Sequence, residues 1–187
     1  MILVQRDTLS EELIQTILDW NAQTQAGDVW ACNQTKWIDS LKYATTGVIL
    51  SRVMPENLSN RIYEDLHARG KITYSPWSRS CLFYIGLPNS CVNWHHDYRD
   101  YNALSIYLNR TWDSNWGGWF AYNEDHNFVE GSVDLRRGKF VVPEYNVSVL
   151  STEMEWHCTT PMSPIAEKRY SIQLFFSKEH VNGTTSN

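Results

Sequence analysis

The feature that most constrains the fold is a change of sequence pattern at about residue 71. From there on, short runs of apolar or β-branched residues alternate with Gly, Asn, Asp and Pro, which is typical of strands joined by turns. Strands at this spacing favour a sandwich or a barrel, so we predict an all-β core over residues 71–180. The candidate strands are Ser80–Ile85, Val92–His96, Ala103–Leu108, Gly118–Tyr122, Lys139–Val142, Val147–Ser151 and Tyr170–Ser177.

The chain before that change is predicted to begin with a short strand over Ile2–Val4, and two later segments have helical periodicity. Thr8 and Glu11 fit a capping box, and the apolar residues behind them recur at helical spacing, which predicts a helix over about residues 9–21. A second helix is expected after Pro55, a residue favoured in the first helical turn, and Gly70 is a suitable C-terminal stop. The apolar stripe of this second helix consists of Leu58, Ile62 and Leu66.

These elements predict a β core with two flanking N-terminal helices, an α+β chain overall. The length of 187 residues fits one domain, which we expect to span residues 1–187. Within it we predict a helical brace over residues 1–70, the β core over 71–180 and a frayed tail over 181–187. Residues 22–47 have no assignable pattern.

Charge and cysteine content exclude several classes of function. The net charge is −5 and there is no long basic run, so the chain lacks the electrostatic signature of a general nucleic-acid binder and we expect no such partner. The cysteines (Cys32, Cys81, Cys91 and Cys158) form no C-x-x-C pair, which argues against a structural zinc site. The sequence shows neither a signal peptide nor an apolar run long enough to span a bilayer. We therefore expect reduced thiols, a cytoplasmic location and no membrane partner.

The motif with the clearest chemistry is Asn93-Trp94-His95-His96-Asp97. In a strand, side chains two residues apart share a face, so His95 and Asp97 project together while His96 points the other way. His157 offers the second imidazole of a two-histidine, one-carboxylate set, which leaves coordination positions of iron open. His96 is the competing ligand, but it could join Asp97 at one metal only through a bulge.

An arginine follows this set at a suitable distance along the chain. Arg169 begins an apolar strand on which Ser171 and Gln173 share its face. A permanently charged, planar guanidinium can bind a carboxylate through two hydrogen bonds. The plainer interpretation of Arg169 alone is a salt bridge at a strand edge.

Taken in order, these residues resemble the Fe(II)- and 2-oxoglutarate-dependent dioxygenases, and among them the prolyl-4-hydroxylase-like branch. The resemblance extends to Tyr107-Leu108-Asn109, Trp112, Gly117-Gly118 and Arg169-Tyr170-x-Ile172, and it covers about residues 80–177. It implies a double-stranded β-helix, also called a jelly roll, with the metal at one open end.

The resemblance also implies roles for individual residues. His95, Asp97 and His157 would be the catalytic metal ligands. Arg169 and Tyr107 would bind 2-oxoglutarate; Ser171 and Gln173 on the Arg169 face and Tyr84, a weaker match to a second pocket tyrosine, are further candidates for its site. The implied cofactors are Fe(II), 2-oxoglutarate and O2, with ascorbate as a further candidate. The implied reaction hydroxylates an unactivated carbon and releases succinate and CO2.

The substrate implied by this branch is proline within a peptide. Trp119, Arg99 and Arg136 are candidate contacts, because the loops over residues 98–102 and 123–138 could border a groove. A free amino acid or another small molecule remains open as the substrate.

Other functions compatible with the same residues are a non-catalytic metal-binding jelly roll and a zinc hydrolase, neither of which needs Arg169. A nucleic-acid demethylase of the superfamily would carry a second arginine where this chain has Phe175. Halogenating relatives leave the carboxylate position empty, whereas Asp97 fills it.

Overall fold

A computed structural model describes the chain in seven segments. They cover residues 1–23, 30–32, 45–72, 79–97, 101–123, 138–152 and 155–177. The described residues form two antiparallel β-sheets and two α-helices, so the predicted combination of a β core with two helices is confirmed. None of the helices in these segments is long and apolar enough to cross a membrane.

The larger sheet has seven strands. In chain order they are β1 (Ile2–Gln5), β2 (Ala31–Cys32), β4 (Ile49–Val53), β5 (Arg79–Gly86), β7 (Tyr101–Tyr107), β10 (Ser148–Ser151) and β12 (Arg169–Ser177). In space the order is β1-β10-β7-β12-β5-β4-β2, which places β12 at the centre between β7 and β5. β1 and β12, the first and last strands of the chain, are therefore not neighbours, because β10 and β7 lie between them.

The smaller sheet has five strands in the spatial order β3-β6-β11-β8-β9. Their bounds are β3 Thr45–Thr46, β6 Cys91–His95, β8 Phe120–Asn123, β9 Gly138–Val141 and β11 His157–Thr159. Each predicted strand has a counterpart here or in the larger sheet. β11 was not predicted, because three residues are too few to show a period-two pattern.

The helices α1 (Glu11–Ala22) and α2 (Glu56–Ala68) form the main core with the larger sheet. On β12, Ile172, Leu174 and Phe176 are fully buried in this core. The residues between them face the other way, because successive side chains of a strand alternate. β12 therefore contributes one face to the core and leaves the other face available.

The N-terminal region differs from the prediction in two ways. It is not only a helical brace with the predicted first strand, since besides β1 it also supplies β2, β3 and β4, whose short runs lie among polar neighbours. The predicted capping box is wrong: Ser10 is the N-cap residue of α1. The Thr8 hydroxyl instead donates to Ser148 Oγ at 3.0 Å, and the Ser10 N–H donates to Asp65 Oδ2 at 2.7 Å. Tertiary partners have replaced the local cap.

None of the four cysteines forms a disulfide among the described residues, and their environments differ. Burial raises the pKa of the Cys81 thiol to about 12, partly offset by a hydrogen bond with Ser59, and its sulfur lies 3.3 Å from Met54 Sδ. The thiolate is the reactive form, so Cys81 stays protonated and inert near neutral pH. We expect iodoacetamide at pH 8 to label half-buried Cys32 before Cys81 in the folded protein, as read by peptide mass spectrometry. Equal labelling rates would contradict this, and urea should abolish the difference.

Candidate metal centre

Two histidines face each other across the smaller sheet. His95 ends β6, His157 begins β11, and the two are paired in the ladder with ring centroids 4.4 Å apart. Asp97 follows just beyond the end of β6, and its Oδ2 lies 3.6 Å from His157 Nε2. One donor atom from each residue lies within 4.8 Å of the others. The structure therefore brings together the three residues that the sequence predicted as ligands.

Backbone carbonyls fix the orientation of both imidazoles. His95 Nδ1 lies 2.7 Å from the Asn93 carbonyl oxygen, and His157 Nδ1 lies 2.9 Å from that of Glu155. Because a carbonyl can only accept, each Nδ1 carries the proton and donates. The lone pair then resides on Nε2, the nitrogen left for a metal, in the arrangement by which outer-shell bonds orient metal-binding histidines.

Burial keeps both rings neutral. It lowers the pKa of His95 to about 4, with the neighbouring His157 acting in the same direction and Asn93 and Asp97 opposing it. Burial also lowers the pKa of His157, against the opposing effect of the Asp97 carboxylate. Phe120 stacks on the His157 ring at 5.1 Å between centroids. Neutral imidazoles are the form that binds a metal.

His96 lies apart from this group, as the alternation of strand residues predicts. It is exposed, its Nδ1 lies 3.1 Å from the Asp97 carbonyl oxygen, and its ring packs edge-on against Trp156. The ladder between β6 and β11 shifts register between His157 and Thr159, which indicates a bulge, but this bulge does not bring His96 to the three donors.

A cavity of about 300 Å³ lies between the two sheets and contains these donors in its wall. The predicted co-substrate residues that line it are Tyr84, Tyr107, Arg169 and Gln173. Sequence reasoning missed other lining residues, among them Val92, Ser105, Phe120, Val149, Ser151 and Thr159. These are apolar or hydroxyl side chains, and nothing in the sequence distinguishes those that face a cavity from those that face the core.

Arg169 is the most unusual residue of this cavity. Its side chain is buried, and burial lowers the pKa of the guanidinium, with Tyr107 opposing. Nη1 donates to the Gly118 carbonyl oxygen at 2.6 Å, and the guanidinium carbon lies 5.9 Å from the centre of the Tyr107 ring. Across the described segments no carboxylate forms an ion pair with Arg169, and its buried Nε has no hydrogen-bond partner. A buried cation in this state calls for an anion.

Neutral polar side chains also line the cavity that contains Arg169. The Ser105 hydroxyl donates to Gln173 Oε1 at 2.7 Å, and Gln173 Nε2 donates to Ser171 Oγ at 3.4 Å, so almost fully buried Ser171 supports Gln173. Burial raises the pKa of Tyr107 to about 12, against the effect of Arg169. Burial and then the Asp97 charge raise the pKa of Tyr84. Both phenols are therefore protonated and able to donate.

None of the three predicted substrate contacts is found in the described wall of the cavity. Trp119 does not line the cavity: its ring packs edge-on against Phe140 at 5.9 Å, and its backbone N–H donates to Thr160 Oγ1. The next residue, Phe120, faces the cavity, and neighbours in an extended chain face opposite sides. Trp119 thus lies outside the wall of this cavity, and its role as a substrate contact stays a prediction. Arg99 and Arg136 lie outside the described residues.

The glycine pair brings two backbone segments together beside Arg169. Gly117 has a φ of 68°, and a Cβ there would lie 2.2 Å from the Pro161 carbonyl oxygen. Its own carbonyl accepts from Trp112 Nε1 at 3.0 Å. The adjacent Gly118 carbonyl holds Arg169, so this turn determines where the guanidinium lies.

Replacing Gly117 with alanine is expected to lower the free energy of unfolding by more than about 2 kcal/mol, because backbone strain adds to a clash with backbone. Gly70→Ala is a matched control: φ is +64° there too, but nothing lies within 4 Å of the added Cβ. It should cost about 1 kcal/mol, from backbone strain alone. Urea denaturation checks both variants, and equal losses would show that the contact with Pro161 is unimportant.

Comparison with known proteins supports the fold at low sequence identity. No protein-family model and no curated protein matches the sequence. A prolyl hydroxylase from Trichoplax adhaerens, in complex with a hypoxia inducible factor peptide fragment, has a TM-score of 0.65 at 15% identity, over 100% of this chain and 87% of that one. A Pseudomonas putida prolyl-4-hydroxylase has a TM-score of 0.60 at 14% identity, over 95% and 92%.

A third similar structure is HygX from Streptomyces hygroscopicus with nickel, 2-oxoglutarate and hygromycin B bound. Its TM-score is 0.64 at 12% identity, over 96% of this chain and 83% of that one. The chain has the fold of the Fe(II)- and 2-oxoglutarate-dependent dioxygenases. The dioxygenase fold expected from the sequence motifs is thus confirmed, including its likeness to prolyl hydroxylases.

Proposed function

We propose that this chain is an Fe(II)- and 2-oxoglutarate-dependent dioxygenase that hydroxylates an unactivated carbon, with peptidyl proline as the first substrate class to test. The observation that carries the proposal is Arg169, a buried cation without a carboxylate partner among the described residues, in the same cavity as a two-histidine, one-carboxylate set. A structural metal site or a hydrolase would need the three ligands but no buried arginine beside them.

The residues of the cavity fit both Fe(II) and 2-oxoglutarate. Two imidazoles with bonded Nδ1 atoms and one carboxylate form the donor set that suits non-haem Fe(II) while leaving positions open. Arg169 has an unpartnered Nε, and its planar fork suits a carboxylate. A dicarboxylate such as 2-oxoglutarate would place one end at Arg169 and its 2-oxo acid end toward the metal.

We further propose that the two sheets are the halves of one double-stranded β-helix domain.

The contributions of the chain to the reaction follow from this arrangement. Arg169 neutralises the distal carboxylate, and Tyr107, protonated because of its raised pKa, can donate to it. Asn93 and Glu155 hold the two imidazoles in the tautomer that presents Nε2. Phe120 covers one face of His157 and keeps water from it. Bound Fe(II) would supply oxygen activation coupled to the decarboxylation of 2-oxoglutarate.

Two similar structures support proline as the first substrate class, because both are prolyl hydroxylases and one holds a peptide. HygX with hygromycin B bound supports the alternative of a small-molecule substrate on the same fold. A non-catalytic metal-binding module is the second alternative, and it would leave the buried charge of Arg169 without a purpose.

Anaerobic titration tests the metal and co-substrate together. Fe(II) is added to the purified chain, then 2-oxoglutarate, while the visible absorption of the Fe(II)–2-oxo acid chelate is followed. We expect the absorption with 2-oxoglutarate and not with glutarate, which lacks the 2-oxo group. Fe(II) binding without the absorption would move the assignment to a hydrolase or a binding module, and no metal binding would overturn the proposal.

Succinate release then separates the substrate classes. Oxygen is admitted with proline-containing peptides, free proline or hygromycin B, and succinate is measured above the uncoupled background. Stimulation by peptides alone supports a prolyl hydroxylase. Stimulation by a small molecule alone would transfer the proposal to the alternative substrate class.

A further inference from the structure

At its start, where Arg169 lies, β12 pairs with a neighbouring strand on one side only. β12 pairs with β5 from Arg169 onward, but its pairing with β7 begins only at Ser171, opposite Tyr107. On the β7 side, the backbone around Arg169 therefore lies beyond the end of the ladder. Buried backbone groups at such a position need other partners.

The side chain of Asn109 supplies them. Asn109 Oδ1 accepts from the Tyr170 N–H at 2.7 Å, and Asn109 Nδ2 donates to the Lys168 carbonyl oxygen at 2.8 Å. The Leu108 N–H donates to the Tyr170 carbonyl oxygen at 3.0 Å. One buried amide thus extends the antiparallel hydrogen-bonding pattern past the strand end, with both of its bonds on residues adjacent to Arg169.

We propose that Asn109 is a positioning residue for Arg169, which holds the carboxylate-binding guanidinium in place before any ligand arrives. The inference rests on the proposed function, since it assigns Asn109 to the co-substrate end of that same site. Asn109 fixes the backbone on both sides of Arg169, and the Gly118 carbonyl fixes the tip of its side chain. Together they hold the arginine at both ends, so the anion site is formed in the metal-free protein.

The test measures carboxylate affinity without metal or turnover. Glutarate binding to the metal-free protein is followed by calorimetry in the wild type and in Asn109→Ala. We expect the affinity to fall about tenfold, the scale of a lost buried hydrogen bond. The KM for 2-oxoglutarate should rise by a similar factor, while kcat at saturation and the Fe(II) affinity stay within about twofold of the wild type.

Asn146 offers a matched control. Its side-chain amide also makes two hydrogen bonds with the backbone: it accepts from the Leu9 N–H at 2.9 Å and donates to the Leu9 carbonyl oxygen at 2.8 Å. These bonds lie just before α1, away from Arg169. Its φ is 57°, which glycine tolerates. Asn146→Gly should lower Tm and leave glutarate affinity unchanged. If Asn109→Ala does not fold, Asn109→Ser, which keeps one polar atom, is measured instead.

The outcomes are distinct. Unchanged glutarate affinity in the Asn109 variant overturns the positioning role and leaves the proposed function intact. An equal loss in Asn146→Gly also overturns it, because the effect would then be general destabilisation. A wild type that binds neither glutarate nor 2-oxoglutarate removes the proposed function, and the role of Asn109 with it.

Discussion

Replacing His157 with alanine is expected to abolish Fe(II) binding and to lower succinate formation by more than about 100-fold. Loss of an outer-shell partner alone costs about 10–100-fold in metal affinity or activity, and removal of a ligand should cost more. The loss should be large because His157 is buried, has a fixed orientation, and is one of only three donors in the candidate metal group found among the described residues. Anaerobic Fe(II) titration and a succinate assay measure the two effects.

His96 provides the control for this experiment. It lies next to Asp97 in the sequence, but it is exposed and packs on Trp156 away from the donors. His96→Ala should retain Fe(II) binding and most of the activity. If His96→Ala loses the metal while His157→Ala keeps it, the ligand set is assigned to the wrong histidine and β6 must have a different register in solution.

Replacing Arg169 with methionine is expected to have effects of opposite sign on stability and on binding. Without a ligand, the buried guanidinium has lost its hydration and lacks a carboxylate partner among the described residues. An apolar side chain of similar length should therefore stabilise the ligand-free protein by about 1–3 kcal/mol. The same change should weaken 2-oxoglutarate binding by at least about 30-fold, because a buried charge pair can no longer form.

Thermal unfolding with and without 2-oxoglutarate measures both effects at once. The variant should have the higher Tm alone and little or no increase on adding ligand, whereas the wild type should show a clear increase. Arg110→Met is the control, since Arg110 is exposed and contacts Glu11, Gln15 and the ring of Tyr145. This change should lower the free energy of unfolding by no more than about 1 kcal/mol and leave the ligand-induced increase in Tm unchanged. A less stable Arg169→Met protein would show that the guanidinium contributes more through packing than it costs in desolvation.

Much of the site could be predicted from the sequence because its residues have chemical signatures. The prediction treated His95 and Asp97 as residues two apart on one strand, which share a face. In the structure β6 ends at His95, and Asp97 just beyond it still lies beside His95 while His96 lies apart. Arg169 was found for a different reason. Alone it suggested an ordinary salt bridge at a strand edge, and only its place after the ligand set, in the order of the dioxygenase motifs, pointed to a carboxylate-binding residue. The tertiary pairing that brings His157 opposite His95 was beyond local pattern, because β11 is only three residues long.

The parts that could not be predicted depend on contacts between distant segments. Phe120 was not singled out in the sequence, yet it lines the cavity, whereas its neighbour Trp119, a candidate substrate contact, packs against Phe140. Thr8 was assigned to a helix cap, but Ser148 on β10 competes for its hydroxyl. Asn109 belonged to a recognised motif, yet the positioning role that we propose for it depends on a tertiary contact, because β12 pairs with β7 only from Ser171 onward, two residues after Arg169. Capping and turn residues look alike in sequence whether their partner is local or far away.

The two faces of β12 have a consequence for how such a protein can diversify. Ile172, Leu174 and Phe176 are committed to the hydrophobic core, whereas Gln173 and Phe175, on the alternate positions, reach the cavity. Substitutions at these alternate positions could change the preferred substrate while the folding residues stay untouched. An insertion or deletion of one residue would exchange the two sets and destroy both properties together. This strand should therefore vary by point replacement and keep its length, even among descendants that have acquired different chemistry.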